Sequence, residues 1–287
     1  MTQNQIQWFP GHMAKTRRQM KECLPLVDIV LELVDARIPY SSRNPEINEF
    51  LSGKPKVTVF TKATLANPIL TKKWQDIYTA RGEAVAIIDS VSGFGLDTLL
   101  SVMRSTLSEK IERYREKGMQ NRTLRAMIVG IPNVGKSSLI NKLAGSKKAK
   151  VENRPGVTLS KQWVPTSLGF DLLDMPGVLW PKFEDEEVGE NLAITGAIKD
   201  NILDTEEIAM LLCQKLMKTS KDAFLERYSL SEEECLGLDS YDLFELVGKR
   251  RGLLSSGGEI NHQRCSNMLL EEFRSGKIGR ITLDIPR

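Results

Sequence analysis

The chain has 287 residues, of which 41% are hydrophobic, enough for about two ordinary domains with cores of their own. No apolar run approaches the about 20 residues of a membrane span, and residues 1–10 lack the long apolar stretch of a secretory signal, so a cytoplasmic protein with no membrane association is expected. A net charge of +3 is too mild to mark a nucleic-acid binder, and Cys23, Cys213, Cys235 and Cys265 lack CxxC spacing, which favours reduced thiols over a zinc site or a disulfide frame.

In chain order, Met13–Leu24 reads as a short basic helix carrying Lys15, Arg17, Arg18 and Lys21, ended by Pro25. Three apolar, β-branched runs follow as strands: Val27–Val34, Lys56–Phe60 and Ala84–Ile88. A helical stretch over Leu70–Arg81 lies between the last two. Arg104–Arg125 mixes charges of both signs without an apolar stripe, as an exposed helix and linker would. Ala126–Val129 is the next strand and Ser137–Leu143 the helix after it, with further strands at Lys161–Thr166 and Phe170–Asp174. From Glu184 onward the capping-box-like Asp204–Glu207 and the runs Ile208–Leu216, Leu243–Val247 and Met268–Phe273 predict a smaller helical domain.

Gly130-Ile131-Pro132-Asn133-Val134-Gly135-Lys136-Ser137 matches GxxxxGK[ST] between a strand and a helix, the context this phosphate-binding loop requires. Its glycines let backbone N–H groups curl around a β-phosphate. Lys136 supplies a point charge to the β- and γ-phosphates and Ser137 a hydroxyl for Mg2+. Asn133, Val134, Gly135, Lys136, Ser137 and Ser138 are therefore the expected phosphate-binding residues. Only two strands follow the helix, too few for a doubly wound sheet, so those before the loop must complete it and the order is permuted.

Asp174-Met175-Pro176-Gly177 ends a later strand, where the carboxylate can hold a magnesium water and the Gly177 N–H can sense a γ-phosphate. Paired with the P-loop it favours a GTPase over a small-molecule kinase, for which no acceptor lid is visible. Thr158, on the loop Arg154-Pro155-Gly156-Val157-Thr158, is the candidate that closes over the metal, the competing reading being a plain loop hydroxyl. Val178 follows Gly177 where Ras-like enzymes carry a water-orienting glutamine, so another group must serve. His12 is a candidate on chemical grounds, although a histidine so placed is as consistent with an exposed or packing role.

The order of these elements, with Trp8-Phe9-Pro10-Gly11-His12-Met13-Ala14-Lys15, Asp35-Ala36-Arg37-Ile38-Pro39, the P-loop and Trp180-Pro181-Lys182-Phe183, closely resembles the ribosome biogenesis GTPase A family over nearly the whole chain. The resemblance implies an α/β, circularly permuted Ras-like P-loop GTPase domain at 1–182, with a mostly parallel doubly wound sheet, and an all-helical RNA-binding domain at 183–287. It implies GTP and GDP as ligands, and partners in the precursor of the large ribosomal subunit and its rRNA, for a chain monomeric when free. It further implies that His12 and Lys136 are catalytic, that Ser137, Thr158 and Asp174 hold Mg2+, and that Asn133 helps hold a stimulatory K+.

The family's base-recognition element NKxD reads Thr61-Lys62-Ala63-Thr64 here. The missing aspartate would have accepted two guanine N–H bonds, a loss of roughly 3–6 kcal/mol if additive, or about 100-fold to more than 1,000-fold in affinity. On that reasoning Thr64→Asp should tighten guanine binding. Ser90-Val91-Ser92-Gly93 resembles the second base-contact loop, though a surface turn reads the same way. A base-promiscuous or hydrolysis-deficient nucleotide-binding scaffold therefore stands beside the GTPase reading. Basic residues at Lys147, Lys148, Lys150 and Arg154 and at Lys249-Arg250-Arg251 can track RNA phosphates or be solvated faces.

Overall fold

The computed structural model describes residues 12–51, 53–119, 122–145, 162–180 and 183–286, with the side chains of 12–15, 17 and 48 outside that description. Helix α1 (His12–Cys23) passes through a short 3-10 turn at Pro25 into strand β1 (Ile29–Asp35), every residue of which is buried. Then follow α2 (Glu46–Leu51), β2 (Lys56–Thr61), α3 (Pro68–Ala80), β3 (Ala84–Ile87), α4 (Leu96–Thr106), α5 (Ser108–Glu116), β4 (Leu124–Gly130), α6 (Lys136–Ala144), β5 (Gln162–Pro165) and β6 (Phe170–Asp174). Helices α7 (Glu186–Ile194), α8 (Thr205–Thr219), α9 (Lys221–Tyr228), α10 (Glu232–Cys235), α11 (Ser240–Arg250) and α12 (His262–Arg274) follow among the described residues.

The six strands form one sheet in the order β3-β2-β1-β4-β6-β5, all parallel except β5, which runs antiparallel to β6. Helices cover a parallel sheet on both faces, which is why β1 and β4 read as nearly unbroken apolar runs rather than as alternating ones. The strand bearing the P-loop, β4, lies in the middle, flanked by β1 from before it and β6 from after it. The sheet is therefore assembled from both sides of the P-loop, as a permuted Ras-like order demands, and the strand ends carrying the motifs share one edge.

Two helices that flank the sheet have no counterpart in the sequence reading. Leu96, Leu99, Leu100 and Met103 of α4, and Leu107 just beyond it, pack toward the core at helical spacing, so the exposed charged helix is α5. Helix α2 is too short to show a period. Asp204 caps α8 through the N–H groups of Glu206 and Glu207, without the return bond of a full capping box. All four cysteines are buried and none is in a disulfide, and among the described residues no cluster of metal-binding side chains occurs.

Beyond α12 the chain returns to the sheet. Ile281 N–H donates to Leu65 O at 3.0 Å and Leu283 N–H to Arg37 O at 2.8 Å, while Arg280 reaches Ala66 O and Ala63 O at 3.1 and 3.2 Å. This strap holds the loop after β2 from outside. Arg274, closing α12, donates to the end carbonyls of α7, Ile194 O at 2.9 Å and Ala193 O at 3.0 Å, and pairs with Asp200 at 2.8 Å. The cation thereby satisfies helix carbonyls that have no partner within their own helix.

Candidate functional site

Lys136 opens α6 and is only 6% exposed, its ammonium donating to Ile131 O at 2.7 Å and Gly130 O at 3.1 Å across the loop's base. Burial pushes it down to about 8, the Asp174 carboxylate working in the opposite direction and Lys62 adding to the fall. The loop is thus preshaped around a desolvated cation that gains from an incoming polyanion. Gly135, at φ +102°, turns the backbone into the helix, and Asn133 at φ +56° carries the bend before it.

Gly177 lies against this loop. A Cβ there would sit 2.7 Å from Pro132 N, 2.8 Å from Pro132 Cα and 3.0 Å from Lys136 Nζ, so only glycine brings the two segments this close. Val178 N–H donates to Gly130 O at 3.2 Å, and its side chain is buried. Asp174 ends β6 in register with Ile128 of β4 and is 3% exposed. The hydroxyl of Ser137 and the carboxylate of Asp174 are hard oxygen donors at the phosphate end of the loop, a donor set suited to Mg2+ and not to zinc. Ser138 is half-buried in the first turn of α6. Thr158, the basic residues Lys147, Lys148, Lys150 and Arg154, Pro181, Lys182 and the side chain of His12 lie outside the described residues.

The element that departs from NKxD packs in a way the sequence did not reveal. Thr61 Oγ1 donates to Val134 O at 2.6 Å, tying the end of β2 to the P-loop despite the missing asparagine. Lys62 sits at φ +55° and pairs at 2.8 Å with Asp35, which also accepts from Arg37 Nε at 3.0 Å and Nη2 at 2.8 Å. Burial opposes ionisation of Asp35, yet the Arg37 and Lys62 charges hold it well below the usual carboxylate range. Arg37 lies 5.5 Å over the Phe273 ring and donates to Arg274 O at 3.3 Å, so the DARxP segment joins the base loop to α12.

Thr64 donates to Asp89 at 2.6 Å, a partner that the sequence reading passed over. Ser90 is half-buried and Val91 is 88% exposed, but the Val91 and Ser92 N–H groups both turn back onto Asp89, at 3.0 and 2.8 Å. Those two amides are therefore committed within the loop. Asn133 Nδ2 donates to Gly196 O at 2.7 Å, a second tie between the P-loop and the helical segment. In the basic run at the end of α11, Arg251 pairs with Glu272 at 3.0 Å and Arg250 with Glu234, so these two charges are engaged within the protein.

A family model described as 50S ribosome-binding GTPase matches residues 125–234. Ribosome biogenesis GTPase A of Priestia megaterium is 48% identical over 282 residues, 98% of this chain and 97% of its own length. That of Bacillus pumilus is 46% identical over 281 residues, 98% and 99% of the two chains. Among solved structures, GDP-bound TM YlqF and GNP-bound YlqF from T. maritima each align with a TM-score of 0.65 at 26% identity, over 94% and 95% of this chain and 99% of theirs. Likeness over the full length, through a permuted sheet that brings the P-loop, Asp174 and Gly177 together, shows that the chain belongs to the ribosome biogenesis GTPase A family.

Proposed function

We propose that this chain binds and hydrolyses GTP as an assembly factor in late maturation of the large ribosomal subunit, its nucleotide state controlling its hold on the ribosomal precursor and the rRNA. The observation that carries the reading is the close approach of Gly177 to Pro132 and Lys136, which couples the segment leaving Asp174 to the phosphate loop. The first-turn amides of α6 and the Lys136 ammonium bind the phosphates. Ser137 and Asp174 would hold Mg2+, with Thr158 as the further oxygen donor, and the ion would supply charge that neutralises the phosphates. His12 orients the attacking water, a role buried Val178 cannot fill. The Asn133 side chain offers a carbonyl oxygen for K+ while its amide nitrogen stays on Gly196.

Residues 1–182 form the GTPase domain in this reading and 183–287 the RNA-binding part, in a chain that is monomeric when free and works in the cytoplasm. Among the described residues no helix is long and apolar enough to cross a membrane. Nucleotide state reaches the helical part by two routes: the chain itself beyond Gly177, and the Asn133–Gly196 bond. Ordering by the γ-phosphate and release on hydrolysis then bias RNA affinity.

The experiment is turnover with and without large ribosomal subunits, together with subunit binding in a non-hydrolysable GTP analogue and in GDP. Stimulated turnover and tighter binding in one nucleotide state are expected; equal affinities remove the switch. His12→Ala should lower turnover with nucleotide binding nearly intact, and loss of binding instead assigns His12 to folding. The competing scaffold reading predicts comparable ATP and GTP binding, or binding without turnover.

A further inference from the structure

The loops that follow β2 and β3 lie side by side at the sheet edge carrying the P-loop. Ala63 N–H donates to Ile88 O at 3.1 Å, Thr61 is bonded to Val134 O at 2.6 Å, and a Cβ added at Gly93 would sit 3.3 Å from Lys142 Cε on α6. At this junction the Thr64 hydroxyl donates to Asp89 Oδ2 at 2.6 Å. Asp89 is 4% exposed whereas Thr64 is exposed, so the hydroxyl oxygen is the outward-facing member of the pair. The other carboxylate oxygen, Oδ1, accepts from Val91 N–H at 3.0 Å, Ser92 N–H at 2.8 Å and the Ser92 hydroxyl at 3.0 Å. Burial opposes ionisation of Asp89, but these donors and Thr64 hold it below the ordinary carboxylate value.

A hydroxyl has one proton. With that proton committed to an ionised carboxylate, Thr64 Oγ1 presents only lone pairs outward, and the charge behind it strengthens it as an acceptor. We propose that Thr64, oriented by Asp89, reads the nucleotide base as a single-point acceptor for the N1–H of a 6-oxopurine. Adenine presents a lone pair at N1 and is repelled. The exocyclic 2-amino group, which a carboxylate would grip through its second oxygen, goes largely unread, so guanine and hypoxanthine nucleotides bind nearly alike. Thr64 is the specificity-determining residue and Asp89 its positioning residue. This rests on the phosphate site assigned above and refines which bases it accepts.

The pair also reverses the expectation for Thr64→Asp. That substitution sets a second carboxylate against Asp89, where like charges raise one pKa and weaken the site rather than tighten it. Exchanging both groups, Thr64→Asp with Asp89→Ser, instead keeps one carboxylate and one hydroxyl and moves the carboxylate to the outward position.

The test is competition binding of GDP, IDP and ADP with Mg2+ to the full chain. The wild type should bind GDP and IDP within about threefold of each other and ADP at least tenfold more weakly, the scale of one charge-assisted hydrogen bond. Thr64→Val, at an exposed position that should leave folding intact, should weaken GDP and IDP together toward ADP. Asp89→Asn, which frees the hydroxyl to donate, should cut the GDP-to-ADP ratio by about tenfold. The double exchange should raise GDP over IDP by about tenfold or more. A wild type that already prefers GDP to IDP by that margin, or a Thr64→Val chain with an unchanged GDP-to-ADP ratio, overturns the inference. Binding of none of the three nucleotides by the wild type overturns the phosphate-site reading itself, and the inference with it.

Discussion

Asp284 closes a hydrogen-bonded clamp on Ser41: one carboxylate oxygen accepts the Ser41 hydroxyl at 2.6 Å and the other its N–H at 2.7 Å. Tyr40 N–H and Asn191 Nδ2 add bonds of 2.7 and 2.9 Å, so the strap beyond α12, the loop after β1 and helix α7 meet on one carboxylate. Asp284→Ala strands these buried donors and is expected to cost about 2–4 kcal/mol, since each unsatisfied buried group costs roughly 1–3 kcal/mol and local rearrangement recovers part. Burial raises the Asp284 pKa in spite of its donors, so the neutral Asp284→Asn should lose less than Asp284→Ala. Urea unfolding of both variants checks the order; equal stabilities would show that the clamp contributes little.

Gly177→Ala should act mainly on triphosphate binding. The new methyl group meets Pro132 backbone at 2.7 and 2.8 Å, atoms that cannot rotate away, and crowds Lys136 Nζ at 3.0 Å. Either the P-loop or the segment beyond Asp174 must move. Misplacing a phosphate-binding lysine by even a fraction of an ångström loses a charge-assisted contact, so affinity for a triphosphate analogue should fall by about tenfold or more, with diphosphate affected less. Titration of both nucleotides against the variant tests this, and unchanged triphosphate affinity contradicts the coupling.

The site's phosphate half was legible because its chemistry is local. GxxxxGKS and DxPG each need neighbouring residues in one backbone conformation, and the shortage of strands after the P-loop forced the permuted order that the sheet displays. The base half was not legible, because its compensations are tertiary. Thr61 recovers a bond to Val134 from another strand, and Thr64 finds its carboxylate on Asp89, across the loop after β3. A motif read position by position registers both as losses. The strap from Arg280 to Asp284 left no trace either: it has no period, and its bonds run to backbone and side-chain atoms far away in sequence.

His262 gives the helical segment a pH-dependent joint. Its ring faces Glu206 of α8 at 3.3 Å and Glu245 of α11 at 2.5 Å, with the Tyr241 and Phe244 rings beside it. Burial disfavours the imidazolium, but the hydrogen bonds and charges of Glu245 and Glu206 prevail and raise its pKa above 6.5. A histidine whose folded pKa is raised contributes stability that is complete below the unfolded value and lost as pH rises through the folded one. The thermal midpoint should therefore decline as pH climbs past 6.5, and His262→Gln should flatten that decline. A variant with the wild-type slope would assign the pH dependence elsewhere.

Lys136 makes nucleotide binding itself proton-linked. Burial holds its pKa near 8, below the ordinary 10.5, so between those values the free protein carries fewer protons at this site than the unfolded chain, and stability rises with pH there. A bound triphosphate reverses the balance by surrounding the ammonium with negative charge, which raises its pKa. Binding above pH 8 must then take up a proton, and affinity must fall as pH rises through that range, while near pH 7 the lysine is already charged and uptake should vanish. Calorimetry in buffers of different ionisation enthalpy reads the proton directly. Equal heats in all buffers at pH 9 would mean that the ammonium is not desolvated before the ligand arrives, and the preshaped loop would lose its electrostatic basis.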